Sequence, residues 1–232
     1  GKKWQDVRTA INKAKRDGIT DVLTTFKEAP FSVQTQIREI SAQWAGKKAL
    51  PEMGFTLGGV DELIDSRVRL LYAVDGNGKV LGVTSWLPTY RDGTIIGWTL
   101  DFMRHRTDSV NGIMEFLIAR MAERLRDEGN VEFMSLSAAP PAGMGSNESE
   151  HEESEVLRHA LQMVADIMEP AYGFHSLFRF KLKFHPDEEK VYICYPDAAK
   201  LPQISLAVAQ AYVPSLTPAE AMRFVRTIAP RD

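Results

Sequence analysis

Apolar residues in the first 46 positions recur every three or four residues, a spacing that is typical of amphipathic helices. The first run contains Val7, Ile11 and Ala14. The second run contains Val33, Ile37, Ile40 and Trp44. Gly18 and Gly46 follow the two runs, and glycine commonly ends a helix. We therefore predict helices over 4–17 and 33–46, with a short apolar piece at 22–26 between them.

The pattern changes near residue 69, where two apolar runs flank the sequence Asp75-Gly76-Asn77-Gly78. Glycine and asparagine tolerate positive φ, so this sequence is a strong hairpin signal. We predict hairpin strands over 69–74 and 79–87, followed by a third strand over 94–100.

A helical stripe returns after residue 108. Its apolar positions are Val110, Ile113, Met114, Leu117, Met121 and Leu125. Asp108 or Ser109 is suited to cap this helix and Gly129 to end it. Residues 131–136 then indicate a buried strand.

The last part of the chain is predicted to alternate between loop, helix and strand. Residues 138–155 are rich in Ala, Pro, Gly and Glu, which favours a solvated loop. A helical stripe follows over 157–168, and strands are predicted over 178–184 and 190–195. Residues 217–220 form a capping box with proline at the first helical position, which predicts a final helix.

This order of elements predicts an α/β fold with a mixed sheet flanked by helices. The layout resembles that of the GNAT acyltransferases, although a fold alone does not give the reaction. GNAT enzymes that use acetyl-CoA bind its pyrophosphate on a glycine-rich turn at the start of the long helix. Residues 106–112 lack that pattern, which counts against CoA.

Composition restricts the function further. The formal net charge of -3 argues against a nucleic-acid binder that works by bulk charge. Cys194 is the single cysteine, and no run of about 18 apolar residues is present, so we expect a reducing, cytoplasmic setting. The five histidines have no metal-ligand spacing, and no serine lies in a Gly-x-Ser-x-Gly elbow. Since the chain begins at Gly1, we expect it to be part of a longer protein.

Charged residues near the end of the third strand are the first candidates for chemistry. Asp101 is suited to orient or deprotonate a nucleophile, and Arg104 to hold a phosphate or polarise a carbonyl. Arg106 follows two residues later. On spacing alone, a surface ion pair explains Asp101 and Arg104 equally well.

Two further basic groups have a functional and a solvated interpretation. Arg179, Lys181 and Lys183 alternate along the predicted strand, so they share one face and form either an anion site or a solvated face. The first helix is also basic, and suits RNA phosphates, anionic lipid headgroups or simply water. Its cations are Arg8, Lys13, Lys15 and Arg16.

Several short motifs together resemble one family. They are Leu100-Asp101-Phe102-Met103-Arg104 before the long helix, residues 135–140 after the next strand, Tyr172-Gly173-Phe174, and residues 180–186. Residues 53–58 and 14–18 agree with them. This combination and order resemble the soluble synthase domain of aminoacyl-phosphatidylglycerol synthases, the multiple peptide resistance factor family. Residues 1–18 would then be a basic connecting helix, and 19–232 the second of two GNAT-like repeats, an aminoacyltransferase domain.

The resemblance implies transfer of an aminoacyl group from aminoacyl-tRNA to a glycerol hydroxyl of phosphatidylglycerol, with no cofactor and no metal. It implies Asp101 and Arg104 as the catalytic pair. The implied substrate-binding residues are Arg106, Tyr172, Arg179, Lys181 and Lys183, and the implied tRNA-binding residues are Arg8, Lys13, Lys15 and Arg16. The expected location is the anionic cytoplasmic face of the cell membrane, as a soluble domain of a membrane-anchored protein.

Three other functions remain open at this point. One is a Fem-like transferase that moves an aminoacyl group from tRNA to a peptide, and another is a CoA acyltransferase. The third is a non-catalytic module that docks on tRNA or membrane, for which Asp101 would be dispensable.

Overall fold

The computed structural model describes residues 2–46, 58–138, 174–189 and 194–212. The chain divides into two compact units. The first consists of residues Gly1–Lys48 and Leu57–Ala138, and the second of Ala49–Thr56 and Ala139–Asp232.

The first unit contains eight helices and strands among its described residues. They are α1 (Gln5–Arg16), β1 (Thr20–Thr24), α2 (Phe31–Ala45), β2 (Arg69–Val74), β3 (Val80–Arg91), β4 (Thr94–His105), α3 (Ile113–Glu128) and β5 (Phe133–Ser135). Short 3-10 helices lie at Lys2–Trp4 and Glu62–Ile64. Both predicted N-terminal helices and the predicted hairpin are confirmed.

The five strands form one sheet in the order of the chain. Strands β1 to β4 are antiparallel, whereas β5 runs parallel to β4 and pairs with it from Gly97 to Thr99. The crossover from β4 to β5 passes through α3, as parallel pairing requires. The predicted α/β class, a mixed sheet flanked by helices, is confirmed.

Helix α2 covers one face of the sheet and closes a hydrophobic core. Ile37 and Ile40 of α2 are fully buried. The same core contains residues of three strands, namely Leu70, Tyr72, Val80, Val83 and Phe102. The stripe that predicted α2 therefore corresponds to its buried face.

Helix α3 packs through another cluster, in which Leu117, Ile118 and Met121 are fully buried. It contacts β3 closely at Gly82, where an added Cβ would lie 2.6 Å from Cε of Met114. Arg120 and Arg124 of α3 bind the same carboxylate, with Nε to Oδ distances of 2.7 and 2.8 Å to Asp21 of β1. These contacts fix α3 to the edge strand β1.

The start of α3 differs from the prediction. The cap residue is Gly112, which has φ of 90° and no side-chain cap bond, so the predicted cap at Asp108 or Ser109 is wrong. Asp108 instead accepts a 2.7 Å bond from Nζ of Lys79. An added Cβ on Gly112 would lie 2.9 Å from Cβ of Ala10, so a glycine here lets α1 pack against α3. Gly129 ends α3 as predicted.

Two strands differ from their predicted extents. Strand β4 continues to His105, so Asp101 and Arg104 lie within it and not beyond its end. Strand β5 has only three residues and is not buried, since Phe133 is 39% exposed.

The second unit contains α4 (Phe174–Leu182), a 3-10 helix (Ala198–Lys200) and α5 (Leu201–Tyr212). The predicted strand over 178–184 is therefore wrong. Turn bonds end α4, from the amide of Lys183 to the carbonyl of Phe180 and from that of Phe184 to Lys181. The rings of Phe180 and Phe184 meet edge to face at 5.6 Å, a contact that i and i+4 residues make on a helical turn.

Most of the remaining C-terminal predictions concern residues that the structure does not describe. Cys194 and Tyr195 lie in no strand, which corrects that end of the predicted strand 190–195. Residues 190–193, the helix over 157–168, the capping box at 217–220 and most of the loop 138–155 lie outside the described residues. Within the described ranges, no helix has the length and apolar character that crossing a bilayer requires.

Candidate active site

A β-bulge in β4 sets the direction of Asp101. Leu100 pairs with Trp86 and Met103 pairs with Thr84. Trp86 and Thr84 are two residues apart and share a face, and Nε1 of Trp86 donates to Oγ1 of Thr84 at 3.0 Å. Leu100 and Met103 therefore share that face although they are three residues apart, so β4 carries one extra residue.

The bulge removes the alternation that would separate Asp101 from Arg104. Asp101 and Phe102 together lie opposite a single residue, Ser85, whose Oγ accepts a 3.0 Å bond from the amide of Phe102. In a regular strand, Asp101 and Arg104 would point to opposite faces because their spacing is odd. The extra residue removes that alternation, and the Arg104 charge acts on the Asp101 carboxylate.

Gly58 lies against the Asp101 carboxylate. Its amide donates to Oδ1 at 3.2 Å. An added Cβ on Gly58 would lie 1.9 Å from Oδ2, well inside van der Waals contact. The backbone approaches the carboxylate this closely because the residue has no side chain.

Burial raises the pKa of the Asp101 carboxyl above its ordinary value. The Gly58 amide and the Arg104 charge lower this pKa in part, and the negative charge of Glu62 raises it. Glu62 is itself held by the amide of Gly59 at 2.8 Å. A carboxylate with a raised pKa accepts a proton more readily than an exposed aspartate does.

The guanidinium of Arg104 lies close to two aromatic rings. Its Cζ is 3.5 Å from the ring centroid of Trp44 and 4.8 Å from that of Phe102. One of its nitrogens, Nη1, donates to the carbonyl of Met103 at 2.9 Å. These contacts hold a cation in the same strand as the Asp101 carboxylate.

Arg106 makes contacts that join elements of the fold. Its Nε donates to the carbonyl of Val80 at 2.7 Å, and Nη2 to Oε1 of Gln36 at 3.1 Å. Nη2 also lies 3.4 Å from Oε2 of Glu39, and the side chain is only 12% exposed. Arg106 thus connects α2 to β3, and its predicted role in substrate binding remains a prediction.

Helix α1 is amphipathic as predicted. Val7, Ala10 and Ala14 are buried, whereas Arg8, Lys15 and Arg16 are exposed and Lys13 is partly exposed. Three of these cations lie in the last turn, where they also complement the helix dipole. The structure thus presents the basic residues to solvent, and tRNA binding by them remains a prediction.

The basic residues of the second unit do not share a strand face, because α4 is a helix. Arg179 and Lys181 are about 200° apart around its axis. Arg179 is exposed, whereas Lys181 is buried, and burial lowers the pKa of Lys181 to about 8. Lys183 follows the helix, with Nζ 5.6 Å from the Phe180 ring centroid. Tyr172 lies outside the described residues.

Three site residues were missed by the sequence prediction. Gly58 ends the motif at 53–58, but nothing in that motif indicates that it meets Asp101. Trp44 fitted the apolar stripe of α2 and gave no sign of contact with an arginine. Glu62 gave no signal at all. In the part of the chain that the structure describes, no group of three metal-ligating side chains occurs.

Comparison with known proteins finds a family model that matches most of the chain. Residues 1–195 match the family described as phosphatidylglycerol lysyltransferase, C-terminal. An uncharacterized protein of Corynebacterium glutamicum is 42% identical over 216 residues, which is 92% of this chain and 26% of that protein. The phosphatidylglycerol lysyltransferase of Bacillus subtilis is 29% identical over 201 residues, 84% of this chain and 22% of the relative.

A solved structure supports the fold. The structure of L-PGS from Bacillus licheniformis matches with a TM-score of 0.71 and 23% identity, covering 91% of this chain and 61% of that one. The chain spans about a quarter of the length of the two curated relatives. The match over residues 1–195 shows that the chain belongs to the family of phosphatidylglycerol lysyltransferase C-terminal domains.

Proposed function

We propose that this chain transfers an aminoacyl group from aminoacyl-tRNA to a glycerol hydroxyl of phosphatidylglycerol. The observation that carries the proposal is the position of Asp101 and Arg104 around the β4 bulge, where the Arg104 charge acts on the Asp101 carboxylate, in a chain that belongs to this family. The reaction exchanges one ester for another, so it requires a base, a group that holds the carbonyl, and two bound substrates.

Asp101 acts as the general base or as the group that orients the attacking hydroxyl. The lipid hydroxyl attacks the carbonyl carbon of the aminoacyl ester, and its proton passes to the carboxylate. The C–O bond to the tRNA ribose then breaks, and the proton goes to the departing ribose oxygen. The raised pKa of Asp101 supports this role, because a stronger base accepts the proton at a lower cost.

Arg104 is the cation that stabilises the negative oxygen of the tetrahedral intermediate, or that holds a phosphate beside it. Its guanidinium is fixed by the rings of Trp44 and Phe102. We also propose that Arg106, Tyr172, Arg179, Lys181 and Lys183 bind substrate. These five assignments rest on the family resemblance.

The aminoacyl donor is proposed to bind α1. Arg8, Lys15 and Arg16 are exposed there, Lys13 partly so, and lysine and arginine contacts to phosphates need no particular base sequence. The acceptor lipid places the reaction at an anionic membrane surface, on the cytoplasmic face where charged tRNA is present. A cationic α1 suits both the phosphates of tRNA and the headgroups of an anionic membrane, so the assay below varies tRNA and lipid separately.

Lysine is the amino acid that we propose to be carried. The Bacillus subtilis relative is named as a lysyltransferase. The site of this chain also carries two carboxylates, Asp101 and Glu62, whose charges act on one another and suit a cationic amino acid. Other aminoacyl-tRNAs serve as the comparison.

The test is incubation of the 232-residue chain with radiolabelled lysyl-tRNA and vesicles of phosphatidylglycerol in phosphatidylcholine. Label is expected in the extracted lipid, and not with phosphatidylcholine alone. Asp101→Asn and Arg104→Ala are expected to lose roughly 100-fold or more of the rate. The matched controls Asp65→Asn and Arg67→Ala alter an exposed ion pair with a 2.6 Å contact and retain activity.

Two outcomes would contradict the proposal. Label that enters no lipid from lysyl-tRNA or from a pool of other aminoacyl-tRNAs removes the acceptor assignment. If the label then enters an added peptide, the chain acts as a Fem-like transferase. Lipid labelling that survives in Asp101→Asn would remove the assigned role of that carboxylate.

A further inference from the structure

The guanidinium of Arg104 packs against the indole ring of Trp44. Trp44 lies in the last turn of α2, and Cζ of Arg104 is 3.5 Å from its ring centroid. The ring of Phe102, from β4, lies 4.8 Å from the same carbon. Arginine and tryptophan also stack elsewhere in the first unit, where Cζ of Arg69 lies 4.1 Å from the Trp98 ring.

Trp44 is less buried than the residues that precede it in the apolar stripe of α2. Ile37 and Ile40 are fully buried in the core, whereas Trp44 is only partly buried. The helix therefore does not need an indole at this position to close its core. The Trp44 ring instead lies at the edge of the core, in contact with the Arg104 guanidinium.

Stacking fixes a guanidinium without neutralising it. A guanidinium presents its flat face to an aromatic ring, and its N–H donors point outward in the plane of the group. A polar partner occupies such donors, as Gln36 and Glu39 do at Arg106. An aromatic ring contacts the face of the group and occupies none of its N–H donors.

We propose that Trp44 is a positioning residue for the reaction, which acts by holding the guanidinium of Arg104 in place. This proposal rests on the proposed function for its effect on turnover. The contact itself does not depend on that function. A platform of this kind lowers the entropy that Arg104 loses when substrate binds, so its removal affects kcat/KM through Arg104 alone.

The kinetic test is a double-mutant cycle in the lipid-labelling assay. Trp44→Leu removes the aromatic face and keeps an apolar side chain, and is expected to lower kcat/KM by about 5- to 30-fold. Trp44→Phe restores part of the rate. In the Arg104→Ala background, Trp44→Leu is expected to change kcat/KM by less than about twofold. Trp98→Phe, at the other arginine stack, serves as the matched control.

A second readout does not require turnover. In NMR spectra of the chain with 15N-labelled arginine, the Nε–Hε signal of Arg104 is identified by its disappearance in Arg104→Lys. The Trp44 ring current is expected to displace this signal, so Trp44→Leu moves it toward the position of an unstacked arginine. Circular dichroism confirms that each variant is folded.

The outcomes separate the two proposals. Additive losses from Trp44→Leu and Arg104→Ala, or an Arg104 signal that stays in place in Trp44→Leu, would overturn the positioning role. Non-additive losses with a moved signal support it. If the unaltered chain labels no lipid, the proposed function fails, and the NMR signal still decides whether Trp44 holds Arg104.

Discussion

The amide nitrogen of Gly58 lies 3.2 Å from Oδ1 of Asp101, at a point where an added Cβ would come within 1.9 Å of Oδ2. The two residues are 43 positions apart in the chain. The Gly58 amide provides the carboxylate with a hydrogen-bond donor, and it also fixes the direction in which the carboxylate points. The position of the candidate base therefore depends on the absence of a side chain at residue 58.

Replacement of Gly58 by alanine is expected to remove activity more than stability. The new methyl group must displace the Asp101 carboxylate, and a misplacement of about 1 Å can cost roughly 100-fold in rate. We expect a fall of that order in kcat/KM in the lipid-labelling assay, with a circular dichroism spectrum like that of the unaltered chain.

Gly76→Ala, in the β2–β3 turn, is the control for this substitution. An added Cβ on Gly76 would meet no atom within 4 Å. We expect Gly76→Ala to keep most of the rate. Equal rates in Gly58→Ala and the unaltered chain would show that the close approach has no bearing on catalysis.

Asp101→Asn is expected to lose activity while keeping or gaining thermal stability at neutral pH. Burial raises the pKa of Asp101, so the folded chain binds this proton more tightly than the unfolded chain. The unaltered protein therefore loses stability as the pH rises from the ordinary value of 3.8 through the raised pKa, and asparagine removes this dependence. The measurement is the Tm of both proteins across this pH range.

Asp65→Asn is the opposite case and the control. A hydrogen bond from Arg67 lowers the pKa of Asp65 to about 2. The charged carboxylate therefore makes a small contribution to folding stability above pH 3.8, and this contribution disappears toward pH 2. If Asp101→Asn instead lowers the Tm at neutral pH and not near pH 3.8, folding favours the charged form of Asp101. Burial then does not raise the pKa of this carboxyl.

Arg106→Ala is expected to act on stability first. Its guanidinium bonds the Val80 carbonyl and the Gln36 side chain in a mostly buried position. Removal leaves a buried carbonyl without its donor and costs about 2 kcal/mol, or roughly 4–8 °C in Tm. Urea unfolding and kcat/KM per folded molecule check this. An unchanged Tm would contradict this structural role, whereas a change in KM per folded molecule would support the proposed role of Arg106 in substrate binding.

The α2 helix and the β2–β3 hairpin could be predicted because local pattern and tertiary packing agree. Val33, Ile37 and Ile40 recur at helical spacing and are all buried, and the glycines after Asp75 suit a tight turn. The prediction for 178–184 failed because alternating Phe, Arg, Leu and Lys residues also fit a short helix with a turn at its end. Tertiary context decides between the two, and the alternation alone does not.

The site itself could be predicted only in part. Asp101 and Arg104 are recognisable as a charged pair near a helix start, but the extra residue that turns them to one site appears only in the pairing of β4 with β3. The same holds for Trp44, because a tryptophan at core spacing indicates a core position whether or not an arginine from another strand lies over it. Contacts between distant segments leave no local signal in either segment.

The exposed cations of α1 provide a test of the donor assignment. Lys15 and Arg16 are exposed at the end of a helix whose opposite side is buried against the fold. Lys15→Gln with Arg16→Gln is expected to weaken binding of lysyl-tRNA and to reduce the slope of log K against log salt by about 0.7–0.9 for each phosphate that the variant no longer neutralises. The Tm changes little, because exposed charges contribute little to folding. Arg67→Gln with Arg126→Gln removes two exposed cations outside α1, which pair with Asp65 at 2.6 Å and Asp127 at 2.7 Å, and serves as the control for total charge. Equal weakening in the two proteins would mean that tRNA responds to net charge, whereas weakening confined to the α1 variant places the donor there.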